Sequence, residues 1–153
     1  MFKWCFLLNL VYMVPVFDRS KCRRIVEAIV VDDKGKVLLL KRSKNNSRFV
    51  GKWQLPGGKI EKKETPLRAI KREIMEEISC SCHKLKLVKK VSFSSFYSGS
   101  KSSAELLVFS CFIRGDVLIS LDHSKYRFFS MRSIKKSSLT PASRVALFNG
   151  LFG

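Results

Sequence analysis

A chain of 153 residues fits one ordinary domain, and 46% hydrophobic with 27% charged residues is a globular composition, which argues against a disordered or multidomain protein. Thirty Lys and Arg against twelve Asp and Glu give a formal net charge of +18, a field that attracts polyanions such as nucleotides, RNA or an anionic membrane surface, although a general lysine-rich bias produces the same total. Five cysteines and two histidines, with Cys80 and Cys82 spaced too closely for CxxC, argue against a disulfide framework and a zinc centre and fit a reducing compartment, most simply the cytoplasm.

Residues 1–21 stand apart from a domain spanning 22–153. The apolar run from Trp4 to Phe17 is shorter than the roughly 20 residues a spanning helix needs. It reads as a signal peptide without a clear cleavage site, as an anchor followed by Arg19, Lys21, Arg23 and Arg24, or as a packed segment or extension ahead of a start at Met13. Membrane association through residues 4–17 is not the favoured reading.

"RIVEAIVVDD" and "VLLLKRS" predict two strands joined as a hairpin at Lys34-Gly35. "KNNSRFVGK" predicts a surface loop, and "WQL" a short strand stopped by Pro56-Gly57-Gly58. From Thr65, a plausible N-cap, with Pro66 at the first helical position, Leu67, Ile70, Ile74 and Ile78 recur at helical spacing. "KLKLVKKVSFSSF" and "AELLVFSCFI" predict strands around a polar loop, "YRFFSM" another strand, and Pro141 to Phe152 a terminal helix. The fold class is α/β (α+β), with a mixed β-sheet and helices packed on it.

The acid is concentrated between Glu61 and Glu77. At ~100° per residue, Glu73, Glu76 and Glu77 share one side of the helix, away from the aliphatic positions. Clustered like charges destabilise an ordinary helix surface, and a Mg²⁺ ion, which takes carboxylate and carbonyl oxygens and completes its shell with waters and substrate phosphates, removes that conflict. A solvated face neutralised by Lys62, Lys63, Lys71 and Arg72 is the plainer alternative. The adjacent Gly57-Gly58 favours a site, because bare backbone there approaches a phosphate or lends a carbonyl.

Gly58, Glu64, Arg72-Glu73, Ile74, Glu76-Glu77 and Cys80 stand at the spacing of the Nudix box, with Ser79 in place of the glycine of that pattern. The chain thus resembles the Nudix hydrolase family from roughly Arg24 to Leu151, and "GKWQLPGGKIE" is most similar to its MutT-like branch, which acts on nucleoside triphosphates, oxidised ones among them. The resemblance implies a Nudix-type α/β/α sandwich and hydrolysis of a nucleoside diphosphate linked to another group. It implies Mg²⁺ or Mn²⁺ held by Glu73, Glu76, Glu77 and the Gly57 carbonyl, with Glu64 and Arg72 in support and Glu76 or Glu77 as base. The leading substrate is a (d)NTP, cleaved to (d)NMP and pyrophosphate. RNA 5′ ends and a nucleotide-binding module with little turnover are the rivals.

Ser79 should cost on the order of 1 kcal/mol as a left-handed helix cap without touching the chemistry. Many relatives carry a further glutamate before the last strand, where this chain has Lys125 and Arg127; an extra carboxylate is then expected only from Glu105, Asp116 or Asp122. Arg42, Arg48 and Lys59 are candidate substrate contacts. Trp53 is another, as a stacking platform, although a tryptophan in a short strand is more often core. His83 and His123 receive no role, and the sequence fixes no oligomeric state.

Overall fold

The computed structural model describes the backbone of residues 2–7, 10–15, 23–97 and 100–148, and the side chains of 23–94 and 103–148. Strands β1 (Phe2–Leu7) and β2 (Leu10–Pro15) pair antiparallel as a separate two-stranded sheet. The side chains of this apolar segment, and so the choice between its three readings, lie outside the described residues. No helix among the described residues is long and apolar enough to cross a membrane.

The domain proper is built on two sheets. Strands β3 (Arg23–Val30), β4 (Val37–Arg42), β5 (Trp53–Gln54), β6 (Gly57–Lys59), β7 (Ser81–Tyr97), β8 (Ser100–Arg114) and β9 (His123–Phe129) assemble as a mixed sheet in the order β6-β3-β8-β7 and an antiparallel sheet in the order β5-β4-β9. In the mixed sheet β3 runs parallel to β8, and the other pairings are antiparallel. Helices α1 (Pro66–Ile78), α2 (Met131–Lys135) and α3 (Pro141–Phe148) cover the strands.

Alternate residues on β3 and β4 serve opposite sides. Val26, Ala28, Val30, Leu38 and Leu40 pack with Ala69, Ile70, Ile74 and Ile78 of α1 in one core. Val37 and Leu39 join Leu106, Val108, Phe129, Ile134, Ala146 and Leu147 in a second core under α2 and α3. Two apolar faces per strand and a helix layer over each make an α/β/α sandwich.

Four sequence expectations need correction. The strands flanking Gly35 are not a paired hairpin. The turn is there, with Gly35 at φ 69° and the Asp32 carboxylate accepting the Lys34 and Lys36 amides, but only Val31 and Val37 bridge across it. Because both strands are apolar on two faces, each finds its partners in a different sheet. Second, Gly57-Gly58 is not a stop but begins β6, paired with β3 through Ile25–Lys59, Val26–Gly58 and Glu27–Gly57. Third, β7 and β8 extend through most of the expected polar loop, since Ser and Lys on a two-stranded ribbon need no core. Fourth, Leu67 is 48% exposed; Ala69 takes its place in the buried stripe. Helix α2 had no counterpart in the sequence reading, and the expected helix over 141–152 is described to Phe148.

Candidate active site

Local signals fix the acidic helix. Thr65 is extended (φ −83°, ψ 151°) and its hydroxyl accepts the Arg68 amide, while Pro66 occupies the first turn, where a missing N–H loses nothing. At the other end Ser79 adopts a left-handed conformation (φ 56°, ψ 26°), and its N–H donates to the Met75 carbonyl, so a non-glycine residue sits where glycine is favoured. Burial of Ile70, Ile74 and Ile78 then sets the rotation of α1 and turns its glutamates outwards.

Arg72 organises those glutamates. Its Nε and Nη2 donate to both oxygens of Glu64 (2.9 and 3.0 Å), a bidentate pair, and its Nη1 reaches Glu73 Oε1 (2.9 Å) and Glu76 Oε2 (3.1 Å). This holds the Glu64 carboxyl below the usual carboxylate range and the Arg72 guanidinium above its own. Glu61 contributes through its backbone, its N–H donating to Glu64 Oε2 and its carbonyl accepting the Glu64 N–H.

Strand β6 lies against the carboxylates. The Gly57 N–H donates to Glu77 Oε2 (2.9 Å), and Gln54 Nε2 to Glu77 Oε1 (3.3 Å). A Cβ at Gly57 would stand 2.1 Å from the Val26 carbonyl oxygen, and one at Gly58 2.3 Å from Glu73 Oε1. The two glycines therefore let a strand approach β3 on one side and the acidic helix on the other. Burial, opposed by the Gly57 N–H and aided by the charges of Glu73 and Glu27, raises the Glu77 carboxyl well above the ordinary range; burial also raises Glu73, against Arg72.

These residues suit a hard divalent cation. The donor set is carboxylate and carbonyl oxygen, two of the acids resist ionisation without added positive charge, and glycine leaves the space between strand and helix open. As placed, Glu73 and Glu76 are turned to Arg72, and among the described residues no three acidic, Cys or His side chains form a ready-made metal cage. A Mg²⁺ site needs no such cage, since that ion keeps several waters and shares substrate phosphates.

Beside the glycines opens a cleft of about 210 Å³. Ile25, Phe93, Ala104 and Pro141 give it apolar walls, and Arg42, Arg48, Lys59, Gly57 and Gly58 border it. Arg42 donates from Nε to the Arg48 carbonyl (2.9 Å), from Nη1 to Gln54 Oε1 (2.7 Å) and from Nη2 to Asn46 Oδ1, so it also ties the loop after β4 to the site; burial lowers its pKa. Trp53 is not brought to the cleft. Its ring packs edge-on against Phe129 (4.8 Å, 75°) in the second core, because its side chain alternates away from that of Gln54 on β5.

Sequence reasoning missed three groups here. Glu27 is 5% exposed, lines the cleft, and accepts from Ser143 Oγ (2.9 Å) on one oxygen; burial, partly offset by that bond, pushes its pKa up to about 8. It is a buried carboxylate at the cleft, apart from Glu105, Asp116 and Asp122, the acids from which the sequence reading expected any further carboxylate. Glu105 is instead paired with Arg24 (3.1 Å) and Lys90 (2.9 Å), while the Asp116 and Asp122 carbonyls serve Cys80 and a loop. Lys125 and Arg127 are exposed on β9. The signal for Glu27 was available: a lone acid inside an apolar strand. His123 is buried, 3.1 Å from Gln54 Nε2 and 3.5 Å from Glu77 Oε1; burial and Arg42 push its pKa down to about 4, so it stands beside Glu77 as a neutral imidazole. Gln54 and His123 are brought together by strand register, which no local pattern announces.

The NUDIX domain family model matches residues 21–148, and the chain belongs to that family. Within it the chain is MutT-like: the MutT protein from Methanosarcina mazei Go1 is 27% identical with a TM-score of 0.70, covering 83% of this chain and 91% of that one. Among curated proteins it is 34% identical over 74 residues to the 8-oxo-dGDP phosphatase NUDT18 of Danio rerio, covering 48% of this chain and 22% of that protein. It is 37% identical over 75 residues to the RNA pyrophosphohydrolase of Ruthia magnifica subsp. Calyptogena magnifica, covering 49% of this chain and 39% of that protein. The chain thus matches well under two thirds of the length of these curated relatives.

Proposed function

We propose that this protein is a divalent-metal-dependent pyrophosphohydrolase that converts a (d)NTP, oxidised guanine nucleotides among them, to the (d)NMP and pyrophosphate. The observation that carries this reading is the apposition of Glu73 and Glu77 to Gly57-Gly58 at the edge of a nucleoside-sized cleft. Glu73, Glu76, Glu77 and the Gly57 carbonyl would hold Mg²⁺ or Mn²⁺. Such an ion, when bound, neutralises phosphate charge and acidifies water.

The chain's own groups divide the remaining work. Glu64 anchors Arg72, and Arg72 fixes the rotamers of Glu73 and Glu76. Glu77, whose carboxyl burial raises, is the base that takes the proton of the attacking water. Gln54 and the Gly57 N–H hold Glu77 in place, and neutral His123 closes the space behind it. Arg42, Arg48 and Lys59 place positive charge where the phosphates enter.

The test is pyrophosphate release from dGTP and 8-oxo-dGTP by the full chain with and without Mg²⁺. Metal-dependent release supports the assignment, and nucleotide binding without it would leave a binding module. The net charge of +18 and the RNA pyrophosphohydrolase relative favour RNA 5′ ends as a second substrate. Faster release from 5′-triphosphorylated RNA than from free dGTP would place that reading first.

A further inference from the structure

Glu27 is placed where none of the catalytic steps needs it. It projects from β3 towards α3 and lines the cleft together with the apolar Ile25, Phe93, Ala104 and Pro141 and the cationic Arg23, Arg42, Arg48 and Lys59. The polar atoms around it are already engaged. Ser143 Oγ donates to Glu27 Oε1, accepts the Leu55 amide and meets Thr140 Oγ1 at 3.1 Å; Gln54 is shared among Arg42, Glu77 and His123. Glu27 Oε2 is buried and has no hydrogen-bond partner. A buried carboxylate oxygen left this way is unfavourable unless a ligand supplies the donor.

Resting on the nucleotide reading above, we propose that Glu27 is a specificity-determining residue that reads the base, accepting the two adjacent N–H donors of a guanine-type Watson–Crick edge. Apolar side chains on the cleft walls suit a heteroaromatic ring, and the cationic border by Gly57-Gly58 sets the phosphate end outwards. Of the common bases only guanine presents two neighbouring donors, the ring N1–H and the exocyclic amine. Adenine and cytosine set a ring acceptor beside their amine, and uracil and thymine flank one N–H with two carbonyls, so each turns a lone pair towards the carboxylate. Oxidation at C8 leaves the guanine edge unchanged, so Glu27 selects guanine as a class and does not sense its oxidation.

The test is equilibrium binding of dGMP, dAMP, dIMP and N1-methyl-dGMP to the full chain without metal, by calorimetry. The wild type should bind dGMP roughly 10- to 100-fold more tightly than dAMP, the range for a hydrogen bond to a charged group. dIMP, lacking the amine, should fall between them, and N1-methyl-dGMP should lose the preference. Glu27→Gln, which sets an amide N–H against the base's donors, should bring dGMP and dAMP together. Equal affinities in the wild type, a preference for dAMP, undiminished binding of N1-methyl-dGMP, or an unchanged ratio in Glu27→Gln would each overturn the proposal. The two methylated and deaminated nucleotides test it on the wild type even where the variant does not fold. A dGMP preference in a chain that releases no pyrophosphate sinks the hydrolase reading and supports this one.

Discussion

Gly58→Ala separates the geometry of the acidic site from the stability of the fold. A Cβ there would lie 2.3 Å from Glu73 Oε1 and 2.5 Å from its Cδ, both at the end of a flexible side chain. To reach ordinary contact at 3.4 Å the carboxylate must withdraw by about 1.1 Å. A displacement near 1 Å in a catalytic constellation costs roughly 100-fold in rate. The fold should tolerate it, because Glu73 can swing and Ala for Gly reduces unfolded-state freedom by about 0.4–1 kcal/mol. Gly57→Ala is the control: its Cβ would meet the Val26 carbonyl oxygen at 2.1 Å and the Glu27 Cα at 2.8 Å, at φ 152°, and backbone cannot swing away. That variant should lose on the order of 3 kcal/mol and melt several degrees lower. Thermal melting and Mg²⁺-dependent pyrophosphate release on both proteins decide the matter. Gly58→Ala with unchanged melting and undiminished kcat/KM would remove Glu73 from the chemistry.

Glu77→Gln should abolish turnover while the fold persists, since an amide oxygen still accepts the Gly57 N–H; full activity would remove Glu77 from the metal site. Ser79→Gly should raise the melting temperature by about 2–4 °C, by relieving a left-handed cap worth about 1 kcal/mol, with turnover unchanged; an unaltered melt would mean that Ser79 is not strained. Glu27, at about 8 in the folded protein against a carboxylate's usual 4.5, binds more protons folded than unfolded between those values. Its contribution is complete below the unfolded pKa and is lost as pH rises through the folded one, at most about 5 kcal/mol. Melting from pH 5 to pH 9 should therefore decline more steeply in the wild type than in Glu27→Gln, and parallel profiles would contradict the burial argument.

Legibility followed the range of the interaction. The helix, its Thr65 cap, its left-handed Ser79 terminus and its line of glutamates are written within a short stretch, where a 3.6-residue period and cap chemistry act locally. Gly57 and Gly58 were noticed for their bare backbone but read as a strand stop, whereas they begin β6 and let that strand approach the helix closely. The pairing of β3 with β8 instead of β4 is a choice among several apolar strands, decided by the sum of packing on two faces. Glu27 and His123 belong to that non-local class. Each is ordinary in its own segment and gains its environment only when Ser143, Gln54 and Glu77 arrive from elsewhere in the chain.

The distribution of charge follows from the same packing. Arg72 touches Glu64, Glu73 and Glu76 at once, so one guanidinium holds three carboxylates, two on α1 and one just before its cap. It cannot neutralise Glu77, which burial separates from it and which relies on the Gly57 N–H, Gln54 and an uncharged His123. Acid at this site is thus divided into a part compensated by protein and a part left in deficit. The surrounding excess of Lys and Arg is largely solvated and screened within about 8–10 Å at physiological salt, so it draws polyanions in without cancelling that buried deficit. A local shortage of positive charge inside a strongly positive protein is therefore stable as a design: the surface field acts at the range of encounter, and the buried carboxylates act at the range of contact.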